Sequence, residues 1–559
     1  MSKTKAFLST PHLWASAVML ALSLMILGWT QSYPVSYSPA EAPVLDQVSP
    51  LFWTGLVAGF VGLAGLVLTS KSPYAHWLAA CLFVLFLSAP QFLYISWGSD
   101  AGALPDLVEY ARSIDRLDMS RDVAVHSYFQ WPGSILFHSL LADVLGVDVH
   151  TAIQIGFIFV AVAIGGGLFT LWLDALSTDP KTTRAAFWGL VLYFAGFYWL
   201  LNWQAVPYTF SLALFFPLLA WLGRRTWQEK GLLLLFFLVG IESHALFGLW
   251  SIALVAMLLV LRTIARRNGS LLSLLLLLVV GQAAVTIYKN TRFFEYLVHS
   301  LQGTYQALLE MGASDRALVR QISTALSPLP AGPVGAILKA LSWFDLASVS
   351  TAFAVATFVV IRQRLVKWRE VALLGAGSLH FLLGIVLAAI GTRSLQLVGM
   401  VPAFFAVEAM THGGKSVRKA LRLTSVIALL LFPAAIIRSH QTSTNFVKPS
   451  NLLVKEYLAG HATDLPAGIA ILDEGRIHAT DRLSLQVYNP RTAMLERCKG
   501  PYLLVDTLQF RRYAASVADS PLAEMGTRLD RLDLSTFYTN GTVTLGTGPE
   551  CQAWDRLWK

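Results

Sequence analysis

Charge is what this chain has least of. Only 13% of its 559 residues are Asp, Glu, Lys or Arg, against 55% hydrophobic, and the mean hydropathy is +0.58. An ordinary soluble domain, with about a quarter of its residues charged, is excluded on that ground. Cysteine is nearly absent too, with three in the whole chain, so a disulfide-stapled scaffold is ruled out. Cys81 sits inside an apolar run and reads as packing, whereas Cys498 and Cys551 could form a single bridge near the C-terminus or remain thiols. The net charge of +9 calls for no nucleic acid, because the basic residues gather in short stretches between apolar runs.

What is present is a series of apolar runs, most of them long enough to cross a hydrocarbon core of about 30 Å. They are Leu13–Thr30, Leu51–Thr69, Ala75–Trp97, Thr151–Leu176, Ala185–Trp203, Tyr208–Leu222, Gly231–Leu261, Leu271–Tyr288, Phe344–Ile361, Val371–Ile390, Leu395–Met410 and Leu421–Ile437. The run Gly231–Leu261 would reach roughly 46 Å as one helix, too long for a single ordinary span. Its interior holds Glu242-Ser243-His244, polar residues that a lipid-facing helix centre tolerates poorly. Read as a hairpin of two helices, it puts every Lys/Arg-rich short loop on one side. The opposing short connections, 31–50, 203–207, 242–246 and 391–394, then hold Arg393 as their one basic residue. The positive-inside tendency favours that arrangement: thirteen spans, the N-terminus inside and the C-terminus outside. The first run, behind Lys3 and Lys5, lacks a small-residue cleavage site and reads as a retained helix.

The expected fold is therefore an all-α polytopic membrane protein with a small α/β domain outside the plasma membrane. Residues 1–74 would form a transmembrane hairpin, 75–438 a transmembrane core and 439–559 the outer domain. Strand-like runs at Gly468–Leu472 and Tyr502–Val505 suggest the sheet of that domain. Two long outer loops interrupt the core. In loop 98–150, Leu104, Leu107, Val108, Ala111, Ile114 and Leu117 recur at helical spacing. A second helix there carries Ile135, Leu136, Leu140, Leu141 and Val144. Both helices are expected in the plane of the interface. Loop 289–342 combines Phe293, Phe294 and Tyr296 with basic neighbours and then Pro328, Pro330 and Pro333.

Loop 98–150 carries eight acidic residues, beginning with Asp100, one step past the end of an apolar run. Carboxylates at the mouth of a helix bundle suit catalysis on a lipid-linked substrate. Each also has a plainer role: Asp100 as a cap for the helix near Leu104, Asp106 as a favourable charge in its first turn. Asp115, Asp118 and Asp122 alternate with Arg112, Arg116 and Arg121 and read as a solvated, mutually paired face. His244 and Glu242 could close the helix break as a buried polar pair or touch substrate or metal. Arg393 could anchor to headgroups, and His380 could bond between helices.

The order of parts resembles the GT-C superfamily of integral membrane glycosyltransferases. The likeness covers about residues 75–440: a span ending in Ser99-Asp100 with Asp106 beyond, then a returning segment with Tyr128 and Trp131-Pro132-Gly133. The break at Glu242-Ser243-His244, a second long outer loop and an outer tail complete it. The acidic loop follows the third span, whereas the superfamily usually has it after the first. The Trp-Trp-Asp signature of oligosaccharyltransferases is absent, which argues against N-glycan transfer.

The resemblance implies a polyprenyl-phosphate or polyprenyl-diphosphate sugar as donor, an acceptor hydroxyl still to be identified, and inversion at the sugar. Membrane lipids would be the remaining partners. Phosphate leaves without being protonated, so one base and a set of cations suffice. Asp100 is then the candidate base and Asp106 the second. Arg393, Lys289 and Arg292 are candidates for the phosphate, and Tyr128, His244 and Glu242 for other substrate contacts. Mg²⁺ or Mn²⁺ would accept a set built from Asp100, Asp106, Glu242 and His244, although no fixed-spacing metal motif occurs. Rival readings are a lipid or glycan transporter, and a lipid-glycan polymerase or ligase of another membrane fold. No internal repeat supports the first. The second would be expected to rely on Arg and His rather than on a carboxylate.

Overall fold

The computed structural model describes residues 10–35, 44–94, 96–97, 104–114, 129, 131–172, 179–197, 207–221, 227–264, 275–276, 278–284, 333–386, 391–442 and 446–447, together with five short strands between 469 and 547. The helices are α1 (Pro11–Ser32), α2 (Pro50–Thr69), α3 (Pro73–Ser88), α4 (Leu104–Ser113), α5 (Gly133–Leu145), α6 (Val149–Trp172) and α7 (Pro180–Phe197). They continue as α8 (Pro207–Trp221), α9 (Trp227–Ser243), α10 (Ala245–Ile264), α11 (Pro333–Arg362), α12 (Trp368–Val386), α13 (Gly391–His412) and α14 (Lys415–Thr442). Six of them open on proline, whose fixed φ suits the first helical turn and whose missing N–H would have had no partner there. Asp148 and Asp179 cap α6 and α7 in matching Asp-x-x-Thr patterns, each accepting from the amide and the hydroxyl of Thr151 or Thr182.

Among the described residues five helices are long and apolar enough to cross a membrane: α1, α2, α6, the stretch Trp343–Arg362 of α11 and Lys415–Ile437 of α14. Their outward faces stay apolar. Met19, Leu20 and Ile26 on α1 and Phe358 on α11 are more than 60% exposed, as suits contact with lipid rather than water. Inward, Phe60, Phe83, Phe194 and Phe432 join α2, α3, α7 and α14, with ring centroids 5.2–5.9 Å apart for Phe83–Phe432, Phe83–Phe194 and Phe60–Phe432.

The third apolar run departs from expectation. It was expected to continue as one span to Trp97, but the α-helix stops at Ser88 and a 3₁₀ turn follows over Ala89–Leu93. Pro90 is the cause: it has no N–H to donate to Phe86 O, which accepts from Ala89 N instead. The turn is held by its surroundings, with Trp29 donating to Phe92 O, Val35 N to Leu93 O at 2.9 Å and Gln154 to Tyr94 O at 3.1 Å. Beyond it β1 (Ser96–Trp97) pairs antiparallel with β2 (Phe446–Val447). α11 begins at Pro333, within the second long loop, and its membrane-crossing stretch starts at Trp343, beside the expected start at Phe344.

Past β2 lie β3 (Ile469–Leu472), β4 (Leu485–Tyr488), β5 (Tyr502–Asp506), β6 (Ser535–Thr539) and β7 (Val543–Thr547). They form one sheet in the order β4-β3-β5-β7-β6. β3 runs parallel to β4 and β5, while β7 is antiparallel to β5 and β6. Both runs read as strands in the sequence are strands, and three further strands join them.

Candidate functional site

The two helices of the acidic loop pack onto the bundle through a small core of their own. Leu104, Leu107 and Val108 of α4 are buried against Phe129, Ile135 of α5, and Val149 and Ile153 of α6. Tyr110 meets Phe129 at 5.4 Å. The helical spacing of the apolar residues explains the contact, since Leu104, Leu107 and Val108 share one face. Asp115, Asp118 and Asp122, the aspartates expected to pair with Arg112 and its neighbours, lie outside the described residues. The Arg112 guanidinium reaches Asp143 on α5, with Nη2–Oδ1 at 2.7 Å. Asp143 lies one helix away in space, which sequence proximity could not show.

The first turn of α5 then meets the helix break. α9 ends at Ser243, α10 begins at Ala245, and His244 alone joins them. The break is tightly closed: His244 N donates to Gly240 O and Phe247 N donates to His244 O, both at 3.1 Å. Ser243 Oγ donates back to Val239 O at 2.6 Å. Gly133 permits the approach of α5, because a Cβ there would stand 2.6 Å from Ser243 Oγ and 3.1 Å from Glu242 O. Trp131, just before the turn, stacks on the His244 ring with centroids 6.2 Å apart. Tyr208, at the start of α8, meets the same imidazole edge-on at 5.4 Å, and Trp250 of α10 lies 6.0 Å beyond Tyr208.

One residue of α5 escaped the sequence reading. His138 is buried, with Nδ1 2.6 Å from Ser134 O, and its ring fills the space that Gly156 on α6 leaves open. Burial pushes its pKa down to about 4, so the imidazole is neutral and acts as packing. Lying among apolar residues on a helix, it gave no local signal of its own.

Of the expected site residues, Glu242 and His244 stand together at the break. Asp106 falls in the first turn of α4 and Arg393 in the first turn of α13, and their side chains lie outside the described residues. Asp100, Tyr128, Lys289 and Arg292 lie outside the described residues altogether, as do Cys498 and Cys551. Cys81 is buried and free. Among the described residues no three His, Cys, Asp or Glu side chains gather as metal ligands.

Compared with known proteins, the chain matches no family model, and no curated protein matches it in sequence.

Proposed function

We propose that this protein is an integral membrane glycosyltransferase that moves a sugar from a polyprenyl-phosphate or polyprenyl-diphosphate carrier to an acceptor hydroxyl on the outer face of the membrane. The reading takes the chain as a thirteen-span, GT-C-like bundle in the plasma membrane, with the sheet of β3–β7 belonging to an α/β domain outside it. One observation carries the proposal. The acidic loop's helix α5 seats its first turn, through Gly133, on a polar helix break inside an otherwise apolar hairpin. In the thirteen-span reading this break is an outer connection, so its polar side chains would stand at the outer membrane surface, where a lipid-linked donor and an acceptor would meet. Here the break also has aromatic faces beside it, from Trp131 and Tyr208. A few polar groups among aromatic rings is the usual lining of a small-molecule site.

In the proposed reaction the acceptor oxygen attacks the anomeric carbon opposite the phosphate. The bond from that carbon to the phosphate oxygen breaks, and the electron pair leaves with the phosphate. Asp100 takes the acceptor's proton, with Asp106 as the second candidate. Arg393, Lys289 and Arg292 offset the charge on the departing phosphate. Tyr128, Glu242 and His244 orient the sugar. A divalent cation, Mg²⁺ or Mn²⁺, would if bound add positive charge at the same phosphate.

The test is release of polyprenyl phosphate from labelled polyprenyl-phosphate sugars by the purified protein, wild type beside Asp100→Asn. Loss of a general base is expected to lower turnover about 10²- to 10⁴-fold while carrier binding survives. Equal turnover in both would transfer the base to Asp106. Carrier binding without turnover of any donor would sink the glycosyltransferase reading and favour transport.

A further inference from the structure

Three arginines meet where α7 and α14 pack beside the end of α2. Arg184, in the first turns of α7, donates from Nη2 to Ser70 O at 2.8 Å, and Ser70 caps the C-terminal end of α2. The same carbonyl lies 3.2 Å from His76 Nε2, and the other ring nitrogen of His76 lies 2.8 Å from Thr183 Oγ1. Arg184 is thus held in place by its neighbours. Arg422 on α14 lies within electrostatic reach of Arg184, and Arg418, one turn earlier on the same helix, within reach of Arg422.

No ion pair seen among the described residues involves these three arginines; those present are Arg112–Asp143, Lys367–Glu408 and His412–Glu408. The Nε atoms of Arg184 and Arg422 are both buried and have no hydrogen-bond acceptor among the described residues. Like charges one turn apart are destabilising, and a buried donor without an acceptor is costly. The surroundings add more positive charge, with Lys71, Lys181, Lys415 and Lys419 exposed at the same ends of these helices. Arg184 and Arg422 are only half-buried, so part of each guanidinium stays accessible, and a guanidinium fork matches the oxygens of a phosphate.

We propose that the Arg184–Arg418–Arg422 cluster binds a phosphate-bearing anion, the headgroup of an anionic phospholipid being its natural source. Under the positive-inside reading these helix ends face the inner leaflet, where such lipids are concentrated, and basic pockets between spans on that side take anionic headgroups. This site shares no residue with the proposed sugar-transfer site, so either can fail without the other.

The full-length protein in a neutral detergent would be titrated with phosphatidylglycerol, with phosphatidylcholine and with inorganic phosphate. Binding is read by native mass spectrometry and by the thermal midpoint. Phosphatidylglycerol is expected to bind and raise the midpoint, and phosphatidylcholine to do neither. The Arg184→Gln/Arg422→Gln double variant should bind phosphatidylglycerol about 30-fold more weakly, taking roughly fivefold per lost cation near a headgroup. If inorganic phosphate at millimolar concentration reproduces the shift, the phosphate group is confirmed as ligand and its source is soluble. Should the double variant fail to fold, Arg422→Lys keeps the charge but loses the fork and should still weaken binding several-fold. Equal binding of the two lipids, or unchanged phosphatidylglycerol binding in both variants, overturns the proposal.

Discussion

Two helical hairpins in this molecule are built on opposite plans. In the pair α1–α2, glycine brings the backbones together. A Cβ at Gly28 would lie 2.2 Å from Phe52 N, and one at Gly55 would lie 2.7 Å from Ala21 O. Small residues at such a seam permit the close van der Waals contact that holds helices together in lipid, where burying apolar surface contributes little. The pair α9–α10 is joined instead through His244, with Glu242 and Ser243 beside it. It is closed by a third element, since the first turn of α5 and the ring of Trp131 pack on the break. The first hairpin has the makings of a seal. The second keeps polar atoms in a place where a seal would need none, and that contrast is why the functional reading is placed there.

The strongest way to break the comparison is to fill the seam. Gly28→Leu would drive a side chain into the backbone of α2, and neither helix can retreat without losing the contacts at Gly55. We expect destabilisation beyond about 4 kcal/mol, with most of the protein lost as aggregate on size exclusion in detergent. A variant that elutes and melts like wild type would show that the two helices are not locked together. The matching change at the other hairpin is Gly133→Val, which pushes α5 off Ser243. Here the fold is expected to survive, because α4, α5 and α6 keep their shared core. Turnover should fall about 10²-fold, the usual cost of moving reacting groups by an ångström. Wild-type turnover in Gly133→Val would separate the docking of α5 from function.

The two hairpins were also unequally legible. Apolar runs of about twenty residues bounded by prolines or basic residues announce helices, and α1, α2 and α6 lie within a few residues of where hydropathy put them. The break in Gly231–Leu261 was legible for the opposite reason, three consecutive polar residues in a run that is otherwise apolar but for Ser251. What occupies it was not. Gly133 and Ser243 are more than a hundred positions apart, and nothing local to either foretells the contact. The same holds for Arg112 and Asp143, and for Arg184 and Arg422, whose loops looked like ordinary basic connections. The end of α3 was misjudged because Ala89-Pro90 is itself apolar, and hydropathy does not register that proline cannot donate to a helix ladder. Composition sets which segments are helical; which side chains meet depends on packing between segments far apart in the chain.

The smallest effect concerns how the acidic loop rejoins the bundle, at the cap of α6. Burial alone would raise the pKa of Asp148, but bonds from the Thr151 hydroxyl and amide, with His150 nearby, outweigh it and hold the carboxyl below its ordinary value of 3.8. A depressed pKa means that the folded protein favours the charged form. The cap therefore contributes fully above the unfolded pKa of about 4 and is lost as the pH falls through the folded value. Asp148→Ala should cost about 0.5–1 kcal/mol at pH 7, toward the low end because the site is largely exposed. The deficit should shrink toward zero in thermal scans taken near pH 3, where wild type has itself lost the charge. A deficit of the same size at both pH values would mean that Asp148 acts through packing, and that the loop's return to the membrane does not depend on its charge.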